Sequence, residues 1–368
     1  MRRILYFSRF YTPHDYRFLS AFVEHGDEVA VMHLENAMGN LEQRPYPPSV
    51  KRINWKGGKS RFSYGNFFPL MQDFKKQVQI IQPQVVLAGP IQTCAFLVAA
   101  SGYPRLVSMS WGYDLFVDAQ RDFWQRWVTK FTLKRSAAML GDCETIRQIA
   151  VSYGMSANNI VIFPWGVDLN HFSYKPIEPS SKEDFTFLST RSWEPIYGVD
   201  LIAEAFARIA QQQPKLHLIM LGSGSLSAKL HKIFVDYGVM DRVSFPGQVG
   251  YEDLPDYYHR ADVYLSASHS DGSSVSLLEA MACGRAAIVS AIGGNREWIE
   301  DGKQGWLFPD GDVDSLAEKM LFAFQKRERL TEMGKEARRL VEEKANWKEN
   351  FPKIYQVIDL FRNGVTRG

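Results

Sequence analysis

Short apolar runs alternate with helix-like segments through the first half of the chain. The runs RRILYFS, DEVAVMHL, PQVVLAG, PRLVSMSWG and AAMLGD are typical of buried β-strands. Between them lie PHDYRFLSAFVEHG, PIQTCAFLVAASG and ETIRQIAVSYG, and a glycine closes each of the last two, as at many helix ends. This alternation of strands and helices predicts a parallel, doubly wound α/β sheet.

The same pattern starts again after a stretch rich in Pro, Ser and charge, residues 164–184 (PWGVDLNHFSYKPIEPSSKED), which we interpret as a linker. The second set of strands is predicted at DFTFLSTRS, LHLIMLGSG, RVSFPGQV, ADVYLSAS, RAAIVSA and GWLF. We therefore expect two Rossmann-like domains, 1–165 and 166–345, that face a central cleft. A C-terminal helix over 346–368 is expected to pack back on the first domain. In such sheets ligands bind at the carboxyl ends of the strands.

Composition places the chain among soluble globular proteins of the cytoplasm. Its 45% hydrophobic and 23% charged residues are ordinary for that class, and the three cysteines lack metal-ligand spacing, so we expect free thiols in a reducing compartment. Residues 77–104 carry no charge, but Pro83, Pro90 and several glutamines argue against a membrane span. Net charge is uneven: residues 1–165 carry +7 and the remainder −5. This suggests an anionic partner or surface for the first half, and the alternative is a solvated basic face.

Three glycine-bearing turns follow predicted strands in the second half. They are Gly222-Ser223-Gly224, Asp271-Gly272-Ser273-Ser274 and Ile292-Gly293-Gly294-Asn295. A strand, a glycine turn and a helix start together present free backbone N–H groups to a phosphate. One such turn is weak support because glycine turns are common connectors, but repetition along one sheet favours an anion site. Arg191 follows the strand DFTFLST, where its guanidinium could neutralise a diphosphate or form a surface ion pair.

Two carboxylates, Asp271 and Glu279, flank the start of an apolar helix in the stretch HSDGSSVSLLEAMACG. If that helix begins near Ser274 or Val275, Glu279 lies about 7.5 Å along its axis, where it can accept hydrogen bonds from the vicinal diol of a ribose. Asp271, before the helix, can reach sugar hydroxyls of the same ligand. The alternative is structural: Asp271 as a turn or capping residue and Glu279 as a partner of the helix dipole.

These motifs resemble those of the GT-B retaining glycosyltransferases of family four (glycosyl transferases group 1). PWGVDLNHF resembles their interdomain PNGVDxxxF segment, and LGSGSL resembles their glycine turn. HSDGSSVSLLEAMACG followed by GGNRE and GWLF resembles their block of two acids separated by seven residues. The likeness covers most of residues 160–345, whereas the first half matches in its strand–helix rhythm and in KRSAAMLGDCETIRQIAVSYG.

The resemblance implies a nucleoside diphosphate sugar (UDP- or GDP-sugar) in the second domain and an acceptor, a glycan or a lipid-linked molecule, on the first. It implies a metal-independent, retaining, hexosyltransferase-type enzyme without cofactor, of the kind used in cell-envelope polysaccharide or glycolipid biosynthesis. Arg191 and Asp271 would be catalytic, with Arg191 as the cation of the diphosphate and Asp271 on the donor sugar, and Glu279 would hold the ribose. The other implied donor-binding residues are Gly222, Ser223, Gly224, Gly247, Gln248, Val249, Gly272, Ser273, Ser274, Val275 and Ser276.

The chain departs from the family pattern at several positions. Tyr197 stands where the family usually has a lysine, and Asp271 where it usually has a glutamate. The usual His-Gly-x-Asp is here Trp111-Gly112-Tyr113-Asp114, and SRFYTPHDYRF replaces a diglycine loop. We take His14, Asp15, Trp111 and Asp114 as acceptor-side candidates. Because of these departures, one alternative is that the chain binds a sugar nucleotide without catalysing transfer. A further alternative is a GT-B-fold sugar-nucleotide epimerase.

Two basic and aromatic stretches, 44–68 and 121–135, lie in the first half. In the second stretch Phe123, Trp127 and Phe131 are spaced at i, i+4 and i+8 of a predicted helix, with basic residues to another side. This pattern fits a helix on an anionic membrane or a site for a lipid-linked acceptor. It also fits an aromatic stripe that faces the core. Nucleic-acid binding is not expected, because neither stretch belongs to a nucleic-acid module and the overall charge is close to neutral.

Overall fold

Two parallel β-sheets organise the chain in the computed structural model, which describes residues 1–35, 42, 44–59, 62–177 and 184–361. The first unit contains Met1–Phe163 and the segment from Phe351 onward, and the second contains Pro164–Asn350. Residues 178–183 of the predicted linker and 60–61 of the first basic stretch lie outside the described residues, as do 362–368 at the C-terminus. The predicted Rossmann-like α/β class is confirmed in both units.

The first unit holds a sheet of seven strands within the described residues, in the order β3-β2-β1-β4-β5-β6-β7. The strands are β1 (Arg3–Ser8), β2 (Glu28–His33), β3 (Lys51–Arg52), β4 (Val85–Ala88), β5 (Leu106–Met109), β6 (Ala138–Gly141) and β7 (Ile160–Ile162). Five of them were predicted as short apolar runs. The short edge strands β3 and β7 were missed, because a strand of two or three residues has too few positions to show a pattern.

Helices connect these strands where the sequence predicted them, and a further helix, α5, lies in the second basic stretch. They are α1 (Pro13–Glu24), α2 (Phe67–Ile81), α3 (Phe96–Ser101), α4 (Tyr113–Phe116), α5 (Phe123–Arg135) and α6 (Glu144–Ser152). A capping box begins α1: the Thr12 side chain accepts from the Asp15 amide, and Asp15 accepts from the Thr12 amide.

The second unit repeats the architecture with a sheet of six described strands in the order β10-β9-β8-β11-β12-β13. They are β8 (Phe185–Ser189), β9 (Leu216–Leu221), β10 (Val243–Gly247), β11 (Val263–Ser266), β12 (Ala286–Ser290) and β13 (Gly305–Phe308). The helices are α7 (Val199–Ala210), α8 (Ser227–Asp236), α9 (Leu254–Arg260), α10 (Val275–Ala282), α11 (Gly293–Arg296), α12 (Val313–Gln325), α13 (Leu330–Lys344) and α14 (Trp347–Asn350). Core residues cover both faces of this sheet, which explains the continuous apolar runs.

The end of the described chain differs from the predicted single helix over 346–368. It consists of α14, two 3-10 turns and the short helix α15 (Tyr355–Ile358), because Pro352 has no N–H with which to continue a helix. The segment joins the first unit at Phe351, whose ring packs edge-on against Phe22 at 5.0 Å. The Tyr355 hydroxyl donates to Asp27, and Arg2 pairs with Asp359, so polar contacts add to the apolar ones.

The aromatic stripe of α5 is exposed at its amino end, whereas Phe131 at its other end is partly buried and packs on the core beside Phe96, with ring centroids 5.7 Å apart. The alternative of a core-facing stripe therefore holds for Phe131 and is wrong for the exposed end. Phe123 is 84% exposed and Trp127 is 42% exposed. The face of α5 that packs inward instead carries Gln125, Val128, Thr129, Thr132 and Leu133. Trp127 stacks between Trp124 and Phe131, with ring centroids 4.9 and 5.1 Å away. Among the described residues, no helix combines the length and the apolar character needed to cross a bilayer.

Candidate functional site

The predicted donor-site residues of the second unit converge at the carboxyl ends of its central strands. Arg191 follows β8, and the turn with Asp271 follows the neighbouring strand β11 and leads into α10. Because adjacent parallel strands end at the same edge of a sheet, these residues meet although 80 positions separate them in sequence. A hydrogen bond from the His269 amide to the Ile196 carbonyl joins the two loops.

Arg191 contacts three predicted site residues through its guanidinium. One terminal nitrogen lies 2.8 Å from Asp271 Oδ2, and the other donates to Ser274 Oγ and Ser276 Oγ, both at 3.1 Å. Burial alone would lower the pKa of Arg191, but the facing Asp271 carboxylate leaves the pKa above its ordinary value. Arg191 therefore carries its positive charge at any physiological pH, held between a carboxylate and the first turn of α10.

The amino end of α10 supplies backbone donors at the same place. The first hydrogen bond of the helix runs from the Leu278 amide to the Ser274 carbonyl. Helix geometry leaves the N–H groups of Val275, Ser276 and Leu277 without an acceptor inside the helix. Ser274 occupies the N-cap position, but its side chain makes no capping hydrogen bond. Free N–H groups and a guanidinium at one end of a helix form a surface suited to a phosphate group.

Glu279 is the fifth residue of α10 and is nearly buried, with 9% of its surface exposed. One of its carboxylate oxygens accepts a hydrogen bond of 2.8 Å from the Tyr258 hydroxyl. Burial and then the Glu279 charge raise the pKa of Tyr258 well above its ordinary value, so Tyr258 remains a donor. The carboxylate is thus oriented by a fixed phenol, and its binding to a ribose remains a prediction.

The glycine turns after β9 and β12 allow neighbouring backbones to approach each other. A Cβ on Gly224 would lie 2.5 Å from the Trp193 carbonyl oxygen, so this turn packs against the loop that follows Arg191. A Cβ on Gly294 would lie 2.2 Å from the Gly272 carbonyl oxygen and 2.6 Å from that of Asp271. Trp298 adds a hydrogen bond from its indole to Ser273 Oγ at 3.1 Å. The turns therefore position Arg191 and Asp271, and direct phosphate contact from Gly222, Ser223 and Gly224 remains a prediction.

The turn Gly247-Gln248-Val249 lies beside the glycine turn after β9. The Gly222 amide donates to the Gly247 carbonyl at 2.7 Å, which joins the carboxyl ends of β9 and β10. Gly247 has a φ of +81° with nothing within 4 Å of a built Cβ, and Gln248 is exposed. The open side of this turn is compatible with the base contact that the resemblance implies.

The four acceptor-side candidates of the first unit divide into two groups. His14 and Trp111 are partly exposed and stack with ring centroids 5.5 Å apart. Asp15 caps its own helix, and Asp114 accepts from the amides of three residues and from the Ser110 hydroxyl. Burial raises the pKa of each carboxyl to about 6. Because Asp15 and Asp114 are buried and hold local backbone, we withdraw them as direct acceptor contacts and retain His14 and Trp111.

Three tyrosines contribute to the site, of which Tyr258 and Tyr264 were missed at the sequence level and Tyr197 was noted there only as a departure from lysine. Tyr258 orients Glu279, Tyr264 donates to Ser276 Oγ at 2.9 Å, and the ring of Tyr197 lies 4.1 Å from the Arg191 guanidinium carbon. The available signal was chemical: a tyrosine inside a predicted apolar element needs a partner for its hydroxyl. That signal indicates a partner without identifying it, so folding was needed to connect these residues.

Family models match both halves of the chain. The description "Glycosyl transferases group 1" matches residues 171–340, and "Glycosyl transferase 4-like" matches residues 3–142. A curated relative, the D-inositol 3-phosphate glycosyltransferase of Geodermatophilus obscurus, is 28% identical over 200 residues, which is 50% of this chain and 44% of that protein. The chain thus aligns with about half the length of the curated relatives it matches.

Solved structures share the fold over nearly the whole chain. Sucrose-phosphate synthase from Thermosynechococcus elongatus superposes with a TM-score of 0.80 at 18% identity, covering 99% of this chain and 100% of its own. Anabaena HepE in complex with UDP-glucose gives a TM-score of 0.77 at 16% identity, with 99% and 100% coverage. At these identities the superpositions establish the architecture of the two units.

Proposed function

The chain belongs to the GT-B glycosyltransferases of the family-four type, and on that basis we propose that it transfers a hexose-type sugar from a nucleoside diphosphate sugar, a UDP- or GDP-sugar. The acceptor we propose is a hydroxyl of a glycan or a lipid-linked molecule. The observation that carries the proposal is the meeting of Arg191, Asp271 and the amino end of α10, with Glu279 one turn further along. HepE, which shares the fold, is a protein observed with UDP-glucose, and this favours a sugar nucleotide as donor.

In the proposed reaction, Arg191 and the first N–H groups of α10 stabilise the negative charge that develops on the leaving diphosphate. The bond between the anomeric carbon and the phosphate oxygen breaks, and the acceptor hydroxyl bonds to that carbon from the same face, which retains the configuration. The proton of the acceptor hydroxyl passes to the departing phosphate oxygen. We propose that the positive charge of Arg191 and the helix end allows this step without a metal ion.

A donor panel tests the proposal. The protein is incubated with UDP-, GDP- and ADP-sugars, with and without candidate glycan and lipid-linked acceptors, in buffer containing EDTA, and nucleoside diphosphate release is followed. We expect release that depends on one donor and increases with acceptor, and NMR of the product should show the donor's anomeric configuration retained. Tight donor binding with no release under any condition would favour a non-catalytic binding protein. A new sugar nucleotide without release would indicate an epimerase.

We also propose a peripheral contact of the first unit with the cytoplasmic face of an anionic membrane, consistent with a role in cell-envelope polysaccharide or glycolipid biosynthesis. The support is the exposed aromatic face of α5, formed by Phe123, Trp124 and Trp127. Residues 121–135 contain five basic side chains and one acidic side chain, so charge and exposed rings together suit an anionic bilayer.

Vesicle sedimentation tests the membrane contact. The wild type should sediment with vesicles containing phosphatidylglycerol, but much less with pure phosphatidylcholine, and high salt should release it. The double variant Trp124→Ser/Trp127→Ser should lose most of this binding. Replacement of Phe322, an exposed aromatic residue of the second unit, by serine is the matched control. If the double tryptophan variant sediments with these vesicles as much as the wild type and the Phe322 control do, the proposed membrane-binding face is wrong.

A further inference from the structure

The guanidinium of Arg191 has aromatic support on one of its faces. Its terminal nitrogens are committed to Asp271, Ser274 and Ser276, and its side chain is 13% exposed. The plane of the group is covered by the ring of Tyr197, whose centroid lies 4.1 Å from the guanidinium carbon. The contact is made by the ring face, so it depends on the aromatic character of residue 197 and not on its hydroxyl.

The backbone around Tyr197 determines where the ring lies. Tyr197 closes the 3-10 turn Pro195–Tyr197, and Gly198 follows with a φ of +56°. A Cβ on Gly198 would lie 2.1 Å from the Ala267 carbonyl oxygen, so this loop can lie against the loop after β11 only because residue 198 is glycine. The ring is therefore presented to Arg191 by a backbone that contacts the Asp271 loop.

The ion pair with Asp271 cannot be the permanent restraint on Arg191 if Asp271 binds the donor sugar. When Asp271 turns to sugar hydroxyls, the long arginine side chain loses its charged partner and regains rotational freedom. The two serine hydroxyls and the Tyr197 ring then remain as its contacts. Of these, the ring contacts the flat face of the guanidinium and leaves its N–H donors free of a charged partner, so it does not compete with the diphosphate for the positive charge.

We propose that Tyr197 is a positioning residue of the donor site, which holds Arg191 toward the diphosphate after Asp271 has exchanged its ion pair for the sugar. This inference rests on the proposed function, because it assumes that a diphosphate binds beside Arg191. It assigns Tyr197 no contact with the reacting atoms. It predicts that residue 197 affects binding of the phosphates and leaves binding of the base and ribose unchanged.

The test compares Tyr197→Phe, which keeps the ring, with Tyr197→Leu, which keeps apolar bulk without a ring face. Calorimetry measures the affinities of the wild type and both variants for UDP, GDP and ADP, for the corresponding nucleosides, and for inorganic pyrophosphate. The phenylalanine variant should match the wild type. The leucine variant should bind the preferred nucleoside diphosphate and pyrophosphate about three- to thirty-fold more weakly, with unchanged nucleoside affinity. In transfer assays its donor KM should rise and its kcat should fall.

The results distinguish failure of the donor site from failure of the role of Tyr197. A wild type that binds neither nucleoside diphosphate nor pyrophosphate would refute the donor site itself. Three results would overturn the role of Tyr197 and leave the donor site standing. The first is a diphosphate affinity of Tyr197→Leu equal to that of the wild type, and the second is an equal loss of nucleoside and diphosphate affinity in that variant. The third is a loss of diphosphate affinity in Tyr197→Phe as large as in Tyr197→Leu. Thermal unfolding checks the fold of each variant, and Tyr197→Met replaces the leucine variant if that protein is unstable.

Discussion

At the scale of single residues, the site is defined by a cation that is already paired. Arg191 is neutralised by Asp271 in the structure, so a diphosphate must compete with a carboxylate for the guanidinium. Both side chains are largely buried, so the loss of their hydration offsets much of the attraction within the pair, and a doubly charged phosphate group can replace the carboxylate. The pair can thus hold Arg191 in place before the donor binds, and Asp271 can release it when the diphosphate arrives.

Replacing Asp271 by asparagine should separate diphosphate binding from sugar transfer. Arg191 would then lose its charged partner, so we expect affinity for bare nucleoside diphosphate to stay equal to the wild type or to improve by up to about five-fold. Loss of a charged contact to the sugar should lower kcat/KM about ten- to a hundred-fold. Calorimetry and transfer assays measure both. Asp310→Asn, which removes the same charge from the partner of His269, is the control. Weaker diphosphate binding in Asp271→Asn would contradict the competition.

Replacing Glu279 by alanine should weaken donor binding by about 1.5–3 kcal/mol for each charged hydrogen bond lost to the ribose diol. Calorimetry with the matching nucleoside tests this directly, because a nucleoside carries the ribose without phosphates. Tyr258→Phe removes the internal donor to Glu279 but keeps the carboxylate, so it controls for a structural effect. Wild-type affinity in a folded Glu279→Ala protein, or an equal loss in Tyr258→Phe, would refute the ribose assignment.

At the scale of elements, loops that follow separate strands assemble the site by close backbone contact. The turn after β12 packs on the turn with Asp271, and the turn after β9 packs on the loop with Arg191. Glycine is needed at these contacts because a side-chain carbon would overlap a carbonyl oxygen. Gly224 and Gly294 therefore keep the loops of Arg191 and Asp271 in place, and contact of the glycine turns with a phosphate stays a prediction.

Gly294→Ala should destabilise the second unit by about 1–3 kcal/mol, since its Cβ would lie 2.2 Å from a backbone oxygen. Urea unfolding followed by tryptophan fluorescence measures the loss, and nucleoside diphosphate affinity should fall with it as the Asp271 turn is displaced. Gly250→Ala is the matched control, because φ there is −66° and the nearest atom to a built Cβ is 3.8 Å away. Equal stability of the two variants would show that the turns do not pack so closely.

At the scale of the whole molecule, the two units differ in net charge and in how many titratable side chains they bury. The basic first half carries the exposed aromatic helix α5, whereas the acidic second half contains the pair of Arg191 and Asp271. Buried titratable groups are concentrated in the first unit, where burial and then the charge of Arg52 lower the pKa of His33 to about 4. Its imidazole is therefore neutral in the folded protein at pH values where an unfolded chain binds a proton.

This difference predicts an acid sensitivity that depends on His33. Between pH 6.5 and about 4 the unfolded state takes up a proton that folded His33 does not, so the unfolding free energy falls as the pH falls, by about 3 kcal/mol in all. His33→Gln should remove this part of the pH dependence, measured as urea unfolding at pH 7 and pH 4.5. Contributions of Asp15 and Asp114 cancel in the comparison. An unchanged slope in His33→Gln would contradict the prediction.

The sequence alone determined the fold class and most elements, because continuous apolar runs and amphipathic segments report local burial directly. It also brought Arg191, Asp271, Ser274 and Ser276 into one hypothesis, and the structure places their side chains in contact. It could not distinguish an exposed from a core-facing aromatic stripe on α5, since an apolar face has the same spacing whether a partner covers it or not.

Only the tertiary structure decided what depends on contacts between distant segments. Asp15 and Asp114 were predicted as acceptor contacts because they lie in the segments that replace the family's diglycine loop and His-Gly-x-Asp motif. In the structure both carboxylates are buried and accept hydrogen bonds from backbone amides. Tyr197, Tyr258 and Tyr264 gained their roles from neighbours up to 21 positions away in the chain. The type of a residue and its place in the sequence pattern indicate which chemistry it can perform. The packing of strands and loops determines which residue it contacts.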